Sequence, residues 1–90
     1  MNRYRHRSKG VIVEAMKLDE NNVDNIANWA QAQVIEEKDA ITGDAMVESL
    51  NIKTPDGVRR CQPGQYVVRH NEHFFVATPA RFEELYALEA

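Results

Sequence analysis

Apolar positions along this chain come in short runs separated by turn-forming residues, and their spacing switches between strand and helix periods. Residues 11–16, Val-Ile-Val-Glu-Ala-Met, are β-branched at the start and apolar on both faces apart from Glu14, which predicts a strand inside a sheet rather than at its edge. A carboxylate in such a run must face solvent or find a partner. Asp19, Glu20, Asn21 and Asn22 then supply turn and N-cap chemistry for a helix over 23–32. Val23, Ile26, Ala27 and Ala30 make its apolar stripe, Asp24 sits in the first turn, and Trp29 lies at the stripe's border. Residues 33–35 predict a short second strand. The stretch 36–45 loses periodicity, carries four acids against one lysine and reads as an exposed loop. Alternation resumes over 46–54, where only Leu50 and Ile52 make a cleanly apolar face, so a half-exposed strand is predicted.

The second half is the most heavily punctuated. Thr54-Pro55-Asp56-Gly57 is a turn that joins 46–53 to a strand over 58–62 as antiparallel neighbours, and Pro63-Gly64 makes another. Strands over 65–70 and 73–77 are separated by Asn71-Glu72, the spacing of a two-residue hairpin, although Asn-Glu suits that turn less well than Asn-Gly. Thr78 as N-cap with Pro79 at the first helical position starts a helix through about residue 88, with Phe82, Leu85 and Tyr86 on one face. The predicted order is β-α-β-β-β-β-β-α. Tight turns demand antiparallel pairing, so the expected class is α+β: a strongly bent antiparallel sheet or partial barrel of about five or six strands, with two helices packed on it.

Ninety residues allow one core. The expected organisation is a basic, flexible arm over 1–10 and a single α+β domain over 11–90. Net charge is −3, yet residues 1–10 carry four positive charges and no acid, which leaves −7 on the other eighty. Arg3, Arg5, Arg7 and Lys9 alternate, so an extended arm would place all four on one side, against a phosphate backbone or an acidic protein surface. A solvated tail that aids solubility is the plainer reading. No run has the roughly 18 apolar residues of a membrane span, and no apolar signal core follows the basic start. With Cys61 as the one cysteine there is neither an intrachain disulfide nor a multi-cysteine zinc motif, which fits a reducing compartment.

Candidate chemistry is sparse. His70 and His73 flank a tight turn and could reach one metal with Glu72, but Glu72 at the apex points elsewhere and a fourth ligand is lacking. Cys61 follows Arg59 and Arg60, which would lower the pKa of an exposed thiol, yet no positioned base accompanies it. The carboxylates are scattered and the four glycines are far apart, so neither a paired acid and base nor a phosphate loop is present. The expectation is a protein that is not an enzyme and needs no metal and no cofactor. Arg59, Arg60 and Arg69 could extend the basic arm into a nucleic-acid stripe, against which stands the acidic body.

Several segments in shared order resemble a family of small phage and prophage proteins of unknown function. They are Val11-Ile12-Val13-Glu14-Ala15-Met16, the helix with Ile26 and Trp29, Ile52-Lys53-Thr54 with Gly57, Pro63-Gly64 with Tyr66-Val67-Val68, Phe74-Phe75, and Pro79 with Phe82 and Tyr86. That family has a VVVEA-type first strand after a basic N-terminus, a PGD[WY][IV][IV]-type strand and a closing PxxFxxxY helix. Gln65 stands where the family has aspartate, Gly10 replaces a proline, and the hairpin at 70–73 lacks the family's glycines. The resemblance implies a phage-encoded accessory protein in the cytoplasm of a bacterial host cell, and transfers no activity or site.

The leading expectation is therefore a non-enzymatic protein-interaction module that binds a bacterial host or phage protein and modulates or inhibits host growth. Arg3, Arg5, Arg7, Lys9 and Trp29 are its expected partner-binding residues. A homodimer through an edge strand is a second expectation. The alternative is a nucleic-acid-binding regulator that uses the basic arm and a sheet face. No membrane association is expected.

Overall fold

The computed structural model describes residues 2–38 and 46–89. Ten elements run in the order β1 (Asn2–His6), β2 (Ile12–Lys17), α1 (Val23–Ala30), β3 (Gln33–Lys38), β4 (Met46–Thr54), β5 (Gly57–Cys61), β6 (Tyr66–His70), β7 (His73–Ala77), α2 (Pro79–Leu85) and β8 (Tyr86–Leu88). The middle of that order is the predicted one, with an extra strand at each end. The class is α+β. In place of one bent sheet or partial barrel there are two antiparallel sheets, five strands ordered β7-β6-β2-β1-β8 and three ordered β3-β4-β5.

Both additions correct the reading of the termini. Residues 2–6 are not a loose arm but a strand between β2 and β8, in register Arg3 to Glu14, Tyr4 to Val13 and Tyr4 to Leu88. An extended segment cannot stay separate when sheet edges on both sides offer it hydrogen bonds and Tyr4 has a core to enter. At the other end, α2 stops at Leu85 rather than near 88, because Tyr86 turns extended and pairs with His6. The stretch 36–38 also belongs to β3 instead of the predicted loop. The rest of that loop, 39–45, lies outside the described residues.

The five-stranded sheet is the middle of three layers. β6 shows why its sequence fails to alternate: Tyr66, Val67 and Val68 are all buried, because both faces of the strand are covered. On one face Val67 joins Leu18, Val23, Ile26, Ala30, Leu50, Ile52 and Cys61, supplied by α1 and the three-stranded sheet. On the other, Val13, Ala15, Tyr66 and Val68 pack with Phe82 of α2. Val23, Ile26 and Ala30 are the stripe that the helical spacing predicts. Asn22, however, does not cap α1. Its side chain turns back, accepting from Asp19 N–H and donating to Lys17 O, both at 2.8 Å. Among the described residues no helix is long and apolar enough to cross a membrane.

The turns follow the sequence closely. Thr54 and Gly57 face each other around Pro55-Asp56, with Gly57 at φ +115°. Gln65 N–H closes the Pro63-Gly64 turn onto Gln62 O at 3.0 Å, and the Gln65 side chain accepts from Gln62 N–H at 2.9 Å. Gln65 therefore braces its own turn. At the β6–β7 hairpin both central residues are left-handed, Asn71 at φ 50° and Glu72 at φ 67°. Asparagine tolerates this, whereas glutamate carries a Cβ penalty there. Glu72→Gly is expected to stabilise the protein by about 0.5–1 kcal/mol, seen as a higher urea midpoint at unchanged slope. An unchanged or lower midpoint would show that the turn is not strained at Glu72.

Candidate functional site

Antiparallel register places directly opposed residues on one face of a sheet. Across the five-stranded sheet Phe74 lies opposite Arg69, Arg69 opposite Glu14, and Glu14 opposite Arg3. Glu89 N–H donates to Arg3 O at 2.9 Å and ends that row. Arg5 and Ile12, two positions along, share the face. The β7 and β6 part of this face is covered, since Phe74, Val76, Val67 and Met16 pack into the first core cluster. The part formed by Arg69, Glu14, Ile12, Arg3 and Arg5 is open. It borders a cleft of about 530 Å³ that Arg3, Ile12, Glu14, Arg69, Asn71 and Glu72 line.

The charges on this face are paired unequally. Arg5 holds Glu89 in a fork, Nε to Oε2 and Nη2 to Oε1, both 2.9 Å. Those hydrogen bonds keep the Glu89 carboxyl below the usual carboxylate range; desolvation opposes them, and the charges of Arg5 and Arg3 add to them. The same hydrogen bonds raise the pKa of Arg5. The Arg69 to Glu14 contact is looser, 3.7 Å, with each side chain 38% exposed. A surface pair of this kind contributes about 0–1 kcal/mol, so an incoming group can replace it at little cost. Arg3 and Arg69 thus bracket one carboxylate, Glu14, on an open surface.

The five residues expected from sequence to bind a partner do not gather. Arg3 and Arg5 do share the open face. Arg7 lies beyond the end of β1, where its N–H donates to Leu85 O at 2.8 Å and its Nη2 to Glu83 O at 3.2 Å, so it ties the first hairpin to α2. Lys9 is exposed in that hairpin, and its N–H donates to His6 Nδ1 at 3.1 Å. The strand ends at His6, so its alternation stops there and the four cations do not share one side. Trp29 is partly buried against the first core cluster, edge-on to Phe74 with ring centroids 5.1 Å apart. Its indole Nε1 is buried with no hydrogen-bond partner among the described residues. Phe74 is the cross-strand partner of Arg69, so Trp29 stands at the border between the covered and open halves. Sequence reading passed over Arg69, Glu14 and Glu89 as parts of one surface, because residues 3, 14, 69 and 89 meet only through strand order.

Comparison with known proteins finds no matching family model, no matching curated protein and no matching solved structure. Function must therefore be argued from the chain itself. Cys61, the last residue of β5, is fully buried in the first core cluster, and burial pushes its thiol up to about 12, so at neutral pH it is a protonated core residue and not a thiolate nucleophile. His70 and His73 oppose each other across the second hairpin. Among the described residues no three His, Cys, Asp or Glu side chains gather as a metal site.

Proposed function

We propose that this chain is a phage-encoded accessory protein of the bacterial cytoplasm, a non-enzymatic interaction module that binds a host protein and modulates or inhibits it. The observation that carries this reading is the open half-face on β1, β2 and β6, where Arg3 and Arg69 bracket Glu14 next to the Trp29–Phe74 pair. Arginine beside a half-buried aromatic is the composition of interface anchors. The phage origin rests on the resemblance of its segments in order. The protonated, buried Cys61 supports the non-enzymatic part.

Affinity purification from bacterial lysate tests it with the intact chain and an Arg3→Glu, Arg69→Glu double variant whose circular dichroism matches the parent. A specific bound protein is expected with the parent, reduced about tenfold or more with the variant. Equal recovery of every bound protein by both would refute the assignment to this face.

A second reading is nucleic-acid binding, favoured by three arginines, Arg3, Arg5 and Arg69, on one open sheet face. Mobility shifts at two salt concentrations decide it, because phosphate contacts weaken steeply with salt. No shift at low salt removes this reading.

A further inference from the structure

We infer that the groove between α2 and the β6–β7 hairpin is a binding site for a small aromatic monocarboxylate. Phe75 opposes Val68 across the two strands, and Val68 packs with Phe82 of α2, so the Phe75 ring belongs to the face that this helix partly covers. Tyr4, Trp29, Tyr66, Phe74, Phe82 and Tyr86 each pack against another ring. Phe75 is the aromatic residue that does not, among the described residues; it is 37% exposed and lines an open cleft of about 330 Å³. Val68 and Phe82, both buried, form the floor of that cleft, and Leu85 and Tyr86 also line it. A bound ring would give Phe75 the aromatic partner that the fold withholds.

The charge around the cleft sets the other end of the ligand. Arg81 and His70 line it, and no carboxylate of the described residues does. Arg81 stands one turn before Leu85, on the same side of α2. The helix cap uses the Arg81 N–H, which donates to Thr78 Oγ1, and leaves the guanidinium out. That guanidinium meets Glu84 at 3.7 Å, with both side chains well exposed, a loose and solvent-screened pair that an incoming carboxylate can replace. Size decides against a polypeptide. Ligand clefts run from roughly 300 to 1,000 Å³, so this one, at the lower end, holds a single ring with a short acid arm. Val68 alternates with Arg69, and Val13 with Glu14, so the groove lies on the opposite face of the sheet from Arg3, Glu14 and Arg69. The inference therefore stands apart from the host-protein reading.

Amide-resolved NMR of the full chain, titrated with cinnamate, tests it against the neutral isostere cinnamamide and against the variants Arg81→Gln and Phe75→Thr. Shifts are expected at Val68, Phe75, Arg81 and Leu85, saturating with a Kd below about 1 mM. Cinnamamide, and cinnamate with either variant, are expected to bind at least about fivefold more weakly, because each lacks the charge-assisted contact or the ring contact. No saturable shift by about 10 mM, equal binding of cinnamamide, or unchanged affinity in Arg81→Gln would overturn the proposal. Shifts centred on Arg3 and Arg69 would overturn it too, by placing the carboxylate on the other face. Arg81→Gln changes an exposed side chain and keeps the capping N–H, so it carries the test even if Phe75→Thr perturbs β7.

Discussion

Phe82→Ala is expected to lower stability by about 3–5 kcal/mol, a large share of what a chain of this length holds at roughly 0.05–0.15 kcal/mol per residue. Phe82 is 1% exposed and sits at the centre of an aromatic group. Tyr66 stacks on one side at 4.2 Å and Tyr86 on the other at 4.8 Å, while Tyr4 meets the ring edge-on at 4.8 Å. These partners come from β6, β8 and β1, so one side chain of α2 holds three strands. Truncation removes the buried ring, leaves a cavity where it packed among Tyr4, Tyr66 and Tyr86, and forfeits the ring–ring geometry. Urea unfolding followed by circular dichroism measures the loss, and Trp29 fluorescence reports from the opposite face of the sheet. Coincident transitions by both probes are expected, because β6 belongs to both core clusters through Val67 and Val68. A loss below about 1 kcal/mol would show that α2 is a dispensable cover.

Deleting residues 1–7 is expected to abolish cooperative unfolding altogether. A solvated tail could be removed within about ±0.5 kcal/mol, and the basic composition of this segment suggests such a tail. In the fold, however, β1 is an interior strand. Without it β2 loses its ladder from Asn2 to Arg5, β8 loses its sole neighbour, and Tyr4 leaves the aromatic group. Two bare edges and an uncovered Phe82 favour aggregation over refolding. The measurement is a thermal melt with light scattering; a truncated chain that melts at the parent's midpoint would contradict the strand assignment. The consequence extends to partner binding. Loss of binding on truncation would report unfolding, which is why the charge-reversal pair Arg3→Glu and Arg69→Glu is the informative variant.

Local signals decided much of this protein. The strand over β2, the helix stripe of Val23, Ile26 and Ala30, the turns at Pro55-Asp56 and Pro63-Gly64, and the Thr78-Pro79 helix start are visible in the chain because each depends on neighbours within four residues. Thr78 Oγ1 accepts from Arg81 N–H at 3.4 Å, as the N-cap reading requires. The candidate site was legible only in part. Arg3 and Arg5 are conspicuous as alternating cations, but their relation to Glu14, Arg69 and Glu89 depends on which strands become neighbours.

What the sequence determined by itself was therefore the repertoire: antiparallel strands, two amphipathic helices, a turn at each Pro-Gly or Thr-Pro-Asp-Gly signal, and a lone cysteine suited to a core. Tertiary structure decided how that repertoire was used. It split the strands into two sheets, drew the basic N-terminus into the middle of one, and ended α2 early so that Tyr86–Leu88 could pair with Tyr4 and His6. The reason is physical. Periodicity and turn chemistry are local energies, whereas the conformations of Arg3–Arg5 and Tyr86–Leu88 depend on hydrogen bonds and burial that exist only once residues more than eighty positions apart are brought together.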